Sequence, residues 1–252
     1  MSDARRGATY RLDLAYDGTA FRGWARQPGL RTVEGVLEEA LATVLREPVR
    51  LSVAGRTDAG VHAEAQVASF VTTRDDVRPE RLRLALDALL PPDVGVSAVT
   101  PAPDGFQARA ARSRTYRYRL WLSPARPVHE RAYVWPVHGA LDTALLREAA
   151  AALVGERDFA ALTPSAHLYH HCVREVRAAA WRPAENGPEW VFEITAGSFL
   201  HMMVRVAVGS MVDVAQGRLS PEGFREGLAG GRRAAMGRTA PARGLALVAV
   251  EY

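Results

Sequence analysis

Polar and apolar residues along the first half of the chain predict two helices among four strands. Residues 9–16 alternate with a period of two, as in a strand with one buried face. Behind Thr32, apolar residues recur at the three- and four-residue spacing of an amphipathic helix, for which Thr32 is a suitable N-cap. The later elements are short strands at 49–54 and 66–72, a helix that begins at Pro79, and a last strand at 94–100. The order β-α-β-β-α-β is ferredoxin-like.

The second half repeats this order with longer connections, although no sequence identity between the halves is evident. Its predicted strands are 115–122, 173–182, 189–196 and 245–251, and its predicted helices are 142–154, 201–216 and 221–229. We therefore predict an α+β protein with an N-terminal half, 1–108, and a C-terminal half, 109–252. Two such sheets joined edge to edge would leave a concave surface between them.

The composition excludes several kinds of chemistry and location. All 32 basic residues counted as Lys or Arg are Arg, so no Schiff-base or P-loop lysine is present. The single cysteine, Cys172, cannot form an internal disulfide, which suits a reducing compartment. No apolar run approaches the ~18 residues of a membrane span, and the N-terminus has no signal-peptide pattern. We expect a soluble cytoplasmic protein that makes no contact with a membrane.

Positive charge is concentrated in the second half of the chain. Residues 1–110 contain 14 Arg and 15 acidic residues, whereas the remainder contains 18 Arg and 13 acidic residues. Two arginine-bearing stretches, 105–129 and 227–250, contain no acidic residue. Because like charges repel unless an anion neutralises them, these stretches favour a polyphosphate partner. Tyr116 and Tyr118 alternate with arginines and suit stacking on bases; a solvated strand face is the alternative.

The densest chemical signal is the segment GRTDAG at 55–60. Its two glycines permit tight backbone turns, and between them Arg56 and Asp58 place a guanidinium and a carboxylate two residues apart. A carboxylate of this kind can act as a nucleophile or a base. The alternative is an aspartate that only caps its own turn.

A second signal is the apolar helix predicted over 201–216, which Arg205 interrupts. A guanidinium on a core helix is costly unless a carboxylate meets it, and Asp213 lies too far along the same helix to pair directly. We therefore consider Asp58 the candidate partner of Arg205, with His201 one turn earlier on the same face. In the alternative, the Arg205 side chain extends to the helix edge and reaches solvent.

Eight sequence blocks, in order, carry a resemblance that runs nearly end to end. They are YDGTAFRGW (16–24), TVEGVLE (32–38), GRTDAGVHA (55–63), LPPD (90–93), FQAR (106–109), RTYRY (114–118), FLHMMVR (199–205) and TAPARGLAL (239–247). The chain resembles the bacterial-type tRNA pseudouridine synthase A family. Such proteins isomerise uridine to pseudouridine at positions 38, 39 and 40 of the tRNA anticodon stem-loop.

The resemblance also implies a fold, an assembly and the roles of several residues. It implies two α+β halves related by a pseudo-twofold, which together form one extended, mainly antiparallel mixed sheet. Helices would cover one face of this sheet, and an RNA-binding cleft would lie on the other. The resemblance also implies a homodimer that binds tRNA without metal or cofactor. By this resemblance Asp58 is the catalytic aspartate, Arg56 displaces the target base, Tyr116 stacks on the uracil, and Arg205 pairs with Asp58. The further expected substrate-binding residues are Thr57, His62, Arg109, Arg114, Tyr118, His201 and Arg238.

The physical chemistry agrees with these roles. Isomerisation breaks the N1–C1′ bond, rotates the uracil and rejoins it through C5, so no redox carrier is required. A stacked base must first be flipped out at a cost of a few kcal/mol, and stacking on Tyr116 can recover roughly 1–3 kcal/mol. Asp58 would attack C1′ or C6, or assist elimination at the sugar. The later proton removal from C5 would use the tyrosine or the aspartate, and the sequence leaves all of these open.

The chain departs from the family pattern at three places and contains one histidine cluster. Gln107 stands where the family usually has His, residues 110–112 are AAR where FSA is usual, and residues 25–27 are ARQ where a glutamine commonly follows the tryptophan. These changes concern local RNA contacts and uridine preference.

The cluster His167, His170, His171 and Cys172 has donors for zinc, but a loop with affinity for RNA phosphate fits it better. The competing functions are a non-catalytic tRNA-binding module or chaperone and a metal-dependent hydrolase.

Overall fold

Ten strands and five α-helices form the part of the chain that the computed structural model describes, residues 7–252. The strands are β1 Ala8–Tyr16, β2 Ser52–Val53, β3 His62–Thr72, β4 Val94–Ala102, β5 Ser113–Trp121, β6 Trp135–Pro136, β7 Gly155–Asp158, β8 Val173–Pro183, β9 Glu189–Ala196 and β10 Leu245–Glu251. The helices are α1 Val33–Leu45, α2 Pro79–Leu89, α3 Thr143–Ala151, α4 Met203–Ala215 and α5 Pro221–Ala229. The α+β class is confirmed.

The chain divides into two compact units. The first contains Met1–Arg112 together with Leu247–Tyr252, and the second contains Ser113–Ala246. Compared with the predicted halves, 1–108 and 109–252, the division falls after Arg112, and the residues from Leu247 onward belong with the first unit.

The first unit is built on an antiparallel sheet with β1 at its centre. β1 pairs with β3 on one side and with β4 on the other, β10 lies beside β3, and β2 also pairs with β3. Alternate residues of β1, including Leu12, Leu14 and Tyr16, are buried, as the period of two predicts. Helix α1 begins after Thr32, whose Oγ1 accepts a hydrogen bond from the Gly35 amide. The β-α-β-β-α-β order predicted for this half is confirmed.

The strand predicted at 49–54 is wrong over most of its length, because only Ser52–Val53 pairs with β3. The Leu51 amide donates instead to Oε1 of Glu38 at 3.2 Å. Glu38 is 4% exposed and also accepts a hydrogen bond from Arg50. A buried carboxylate thus satisfies a backbone donor in the segment that precedes β2.

The second unit is built on a sheet that contains one parallel pair. Its strand order is β5-β9-β8-β7, in which neighbours are antiparallel, and β6 pairs with β5 in parallel. Helix α3 begins after Asp142, whose carboxylate accepts from two backbone amides of the first turn. Helix α4 is almost wholly buried, and α5 begins with Pro221 behind its N-cap, Ser220. None of the helices in residues 7–252 has the length and apolar character to cross a membrane.

Candidate active site

Asp58 lies on the loop that connects β2 to β3. Along this loop Thr57 is buried at 6% exposure, whereas Arg56 is exposed and Asp58 is half-buried. The Val61 amide donates to the backbone carbonyl of Asp58 at 3.1 Å, which closes a turn after the carboxylate-bearing residue. The guanidinium and carboxylate predicted from the sequence therefore stand on either side of an inward-facing threonine.

A polar network lies beneath this loop. The Tyr16 hydroxyl and Oγ1 of Thr57 are 2.7 Å apart and share a hydrogen bond. Gln66 Nε2 donates to the Tyr16 oxygen at 3.2 Å and to the Gly55 carbonyl at 2.7 Å. Burial raises the pKa of Tyr16 to about 12, so its hydroxyl stays protonated at physiological pH. These contacts tie the loop to β1 and β3.

The segment from Gly18 to Trp24 holds the loop from its other flank. The Trp24 amide donates to the Thr57 carbonyl at 3.0 Å, and the Gly60 amide donates to the Phe21 carbonyl at 3.3 Å. A Cβ at Gly18 would overlap the backbone carbonyl of Val61, so only glycine fits this approach.

His62 is buried at the end of the Asp58 loop. The backbone amide of Gly18 donates to its Nδ1 at 3.0 Å. His62, expected from the sequence to bind substrate, is 5% exposed, and this geometry supports a role in fixing the segment at Gly18.

Three arginines of the first unit line one open groove of about 790 Å³. They are Arg50, Arg56 and Arg109, and Gln107 lies in the same lining. Gln107 Oε1 accepts a hydrogen bond from Arg109 Nε at 2.6 Å. The glutamine that departs from the family pattern therefore orients a cation of this groove.

The two tyrosines of β5 have different environments. Tyr116 is 8% exposed and its ring meets Phe199 edge to face, with ring centroids 5.1 Å apart. Tyr118 is fully buried and donates its hydroxyl to the Pro241 carbonyl at 2.7 Å. Burial raises the pKa of Tyr118 far above its ordinary value. Tyr118, expected to bind substrate, thus packs inside the second unit, and a Cβ at Gly244 would press on its ring.

Arg205 lies in the first turn of α4 and is half-buried. Its Nε donates to the Ala240 carbonyl at 3.0 Å, and its own carbonyl accepts from the Ala240 amide at 2.9 Å. The helix follows Met202, whose backbone has a left-handed conformation with φ of 59°. Arg205 belongs to the second unit and Asp58 to the first, and their pairing stays a prediction.

His201 is exposed next to the start of α4 and contacts the segment that contains the histidine cluster. Its Nδ1 lies 3.0 Å from Oγ of Ser165, and its backbone amide donates to the Tyr169 hydroxyl at 2.8 Å. Cys172 is buried, and burial raises the pKa of its thiol. Within residues 7–252, no group of three or more His, Cys, Asp or Glu side chains is arranged to hold a metal ion.

The two remaining predicted substrate-binding arginines make contacts inside the second unit. Arg114 is 7% exposed and its Nη1 donates to the Gly197 carbonyl at 2.7 Å. Arg238 donates three hydrogen bonds to Asp213, one from its backbone amide and two from its guanidinium. Contact of either arginine with RNA stays a prediction.

Two arginines of the acid-free stretch 105–129 are neutralised within the protein. Arg117 pairs with Glu193 at 2.8 Å, and Arg119 pairs with Glu189 at 2.7 Å, both across the antiparallel pair of β5 and β9. For these two arginines the prediction that an external anion is required is wrong. The neutralising carboxylates come from the neighbouring strand, which a count along the sequence does not reveal.

Tyr16 and Gln66 are site-supporting residues that the sequence analysis missed. Gln66 is fully buried within β3, at a position flanked by apolar residues. A polar side chain inside an otherwise buried strand requires a partner, and that requirement was the signal in the sequence. Tyr16 begins the first matching block, and the alternating pattern there indicates only its place in a strand.

An α+β protein with a loop carboxylate two residues from Arg56, which lines an arginine-bearing groove, fits the class of enzymes that act on nucleic acid. A sequence model of the family described as tRNA pseudouridine synthase matches residues 14–109 and 149–252. The chain belongs to this tRNA pseudouridine synthase family. It is therefore an isomerase that converts uridine into pseudouridine in tRNA.

Relatives named tRNA pseudouridine synthase A match almost the whole chain. The protein of Solidesulfovibrio magneticus is 46% identical over 97% of this chain and 91% of its own length. That of Geobacter sulfurreducens is 40% identical over 97% of this chain and 99% of its own. That of Frankia casuarinae is 44% identical over 96% of this chain and 88% of its own.

Proposed function

We propose that this enzyme modifies uridines 38, 39 and 40 in the tRNA anticodon stem-loop, with Asp58 as the catalytic carboxylate. The observation that carries the proposal is the Asp58 loop: a half-buried carboxylate lies beside the exposed Arg56, on a backbone fixed from below. The arginine-lined groove that includes Arg56 supports binding of the phosphate backbone.

The proposed reaction begins when the target uridine leaves the stack, at a cost of a few kcal/mol. Arg56 occupies the place of the displaced base, and the uracil stacks on Tyr116. Asp58 then acts at the ribose or at the ring, the N1–C1′ bond breaks, and the uracil rotates and rejoins C1′ through C5. The proton on C5 leaves and N1 gains one, so atoms and charge balance without a redox partner.

Arg205 is proposed to pair with Asp58 and to direct its carboxylate toward the substrate. Its side chain is half-buried, with Nε already bonded to the Ala240 carbonyl, so its orientation is constrained. A constrained guanidinium loses less entropy when it pairs with a carboxylate. Arg205→Ala is therefore expected to lower both activity and stability.

We also propose that the enzyme works in the cytoplasm as a homodimer that binds one tRNA through both subunits. Light scattering of the purified protein is expected to give twice the chain mass of 27.4 kDa. A monomer at concentrations that support full activity would contradict this part of the proposal.

The test of the catalytic role uses tRNA tritiated at uracil C5. Wild-type protein is expected to release tritium without added cofactor, whereas Asp58→Asn is expected to lower the rate by about 1,000-fold or more. The matched control is Asp104→Asn, because Asp104 is an exposed carboxylate in the same unit. Its rate is expected to equal that of wild type.

Binding measured in parallel separates the alternatives. Asp58→Asn is expected to bind tRNA with a Kd within about threefold of wild type, because the carboxylate itself contributes no attraction to phosphate. Wild-type binding without tritium release would instead identify a non-catalytic tRNA-binding module. Cleaved RNA would identify a hydrolase.

A further inference from the structure

The loop that carries Asp58 rests on hydrogen bonds to two buried polar side chains. Gln66 is fully buried and Tyr16 is 5% exposed. Burying such groups costs free energy unless each one is hydrogen-bonded. A network of buried polar groups stabilises the fold only if every member has a hydrogen-bond partner. Here both groups direct their bonds at the same loop.

Gln66 holds the beginning of the loop by both atoms of its amide. Its Nε2 donates to the Gly55 carbonyl at 2.7 Å, and its Oε1 accepts from the Gly55 amide at 3.4 Å. The side chain thus takes the place that a neighbouring strand would occupy. An apolar side chain at this position would fill the space but leave both groups of Gly55 without this partner.

Tyr16 extends the same connection to Thr57. Its oxygen accepts from Gln66 Nε2 at 3.2 Å and lies 2.7 Å from Thr57 Oγ1. Gly55 and Thr57 are the residues on either side of Arg56, and Thr57 directly precedes Asp58. The Thr57 carbonyl is held as well, by the Trp24 amide at 3.0 Å.

We propose that Tyr16 and Gln66 are positioning residues. Their hydrogen-bonded bridge from Gly55 to Thr57 sets the direction in which the side chains of Arg56 and Asp58 project from the loop. The inference rests on the proposed role of Asp58. Misplacement of a reacting group by about 1 Å can cost about 100-fold in rate. Loss of the bridge therefore affects the chemical step far more than the affinity for tRNA.

The hydroxyl of Tyr16 takes part as a neutral group. Burial raises its pKa to about 12, so Tyr16 neither gives nor takes a proton during turnover near neutral pH. Removal of this hydroxyl is expected to lower the pH–rate profile without changing its shape. A residue acting as the proton-removing base would instead alter an arm of the profile.

The experiment measures single-turnover tritium release with enzyme in saturating excess over tRNA. Under this condition a partly unfolded sample lowers the active concentration but not the rate constant. Tyr16→Phe removes one hydroxyl, and Gln66→Met replaces the amide with an unbranched side chain of similar length. Each is expected to lower the rate constant by about 10- to 100-fold, with the Kd for tRNA within about threefold of wild type.

Tyr10→Phe is the matched control, since Tyr10 is on the same strand, is 8% exposed and stacks on Phe70. Its rate constant is expected to equal that of wild type. Because the bridge acts as one unit, Tyr16→Phe with Gln66→Met is expected to lose less than the product of the single losses.

Two results would overturn the inference: Tyr16→Phe with a rate constant within twofold of wild type, or an equal loss in Tyr10→Phe. If Gln66→Met does not fold, the single-hydroxyl change in Tyr16→Phe decides alone. Failure of the proposed function looks different, because wild-type enzyme would then release no tritium, or Asp58→Asn would release it at the normal rate.

Discussion

Several buried polar side chains of this enzyme fix backbone segments in addition to contacting other side chains. Gln66 holds Gly55, and Asp213 holds the loop before β10 through the Arg238 amide at 2.9 Å. Asp213 also accepts from the guanidinium of Arg218 at 2.9 Å. Polar residues at buried positions thus determine where functional loops lie, and each can be tested singly.

Asp213→Asn is expected to lower the free energy of unfolding at pH 7 by about 2 kcal/mol, because hydrogen bonds to a charged acceptor are lost. Burial acts to raise the pKa of Asp213, but the hydrogen bonds from Arg238 and Arg218 outweigh it and hold the pKa below its ordinary value. A lowered folded-state pKa gives stability that is present above the unfolded value of about 3.9 and is lost as pH falls through the folded value.

Urea unfolding at pH 7, 5 and 3 checks this prediction. The difference between wild type and Asp213→Asn is expected to persist at pH 5 and to narrow at pH 3. Asp104→Asn serves as the exposed control and should follow wild type. A difference that stays constant to pH 3 would contradict the role of the ionised carboxylate.

Gln107→Ala is expected to weaken tRNA binding about fivefold, the equivalent of about 1 kcal/mol for one lost hydrogen bond. The reason is that Gln107 orients Arg109 through a bond of 2.6 Å. A double-mutant cycle measures this directly: if Gln107 acts through Arg109, adding Gln107→Ala to Arg109→Ala changes the Kd no further. Additive losses would show that Gln107 contacts RNA independently.

At the scale of elements, the sequence pattern predicted those helices and strands that are determined by their own residues. Helix α5 and strand β10 have the bounds predicted from the sequence, 221–229 and 245–251. Strands β6 and β7 were not predicted, because segments of two and four residues are too short to show periodicity. Pairing with neighbouring strands is what makes these segments extended. The strand predicted at 49–54 is wrong over most of its length, because only Ser52–Val53 pairs with β3.

Helix α4 crosses the loop 237–240 so closely that a side chain at Gly209 would overlap the Arg238 carbonyl. Gly209→Ala is therefore expected to destabilise the protein by about 2 kcal/mol or more, despite the higher helix propensity of alanine. Thermal unfolding measures the effect. Gly95→Ala is the control, because nothing lies within 4 Å of a Cβ there. A more stable Gly209→Ala would refute the close crossing.

At the scale of the whole molecule, recognisable sequence blocks make Asp58, Arg56 and Tyr116 candidate site residues, and their roles stay predictions. The sequence could not assign contacts that depend on which strands are neighbours. The acids that neutralise Arg117 and Arg119 are more than 65 residues away along the chain, as is the Pro241 carbonyl that accepts the Tyr118 hydroxyl. Long-range neighbours of this kind are fixed only by the completed fold.

Tyr252 joins the end of β10 to the first unit. Its hydroxyl donates to the Ala108 carbonyl at 2.8 Å, and its ring lies 5.0 Å from that of Phe106. Tyr252→Phe is expected to cost about 1 kcal/mol of unfolding free energy and Tyr252→Ala about 3 kcal/mol. Hydrogen exchange should then quicken in β3 but not in β9; equal acceleration in both would contradict this assignment.

The return of Leu247–Tyr252 to the first unit also sets an order of events during protein synthesis. At about 5–20 residues per second, a ribosome needs roughly 7–27 s to add Ser113–Ala246 before these residues are made. Throughout that interval, the edge of β3 that β10 covers, opposite β1, has no β10 strand on it. An uncovered strand edge is a template for pairing with other nascent chains, so crowded polysomes are where this enzyme is most exposed to misassembly.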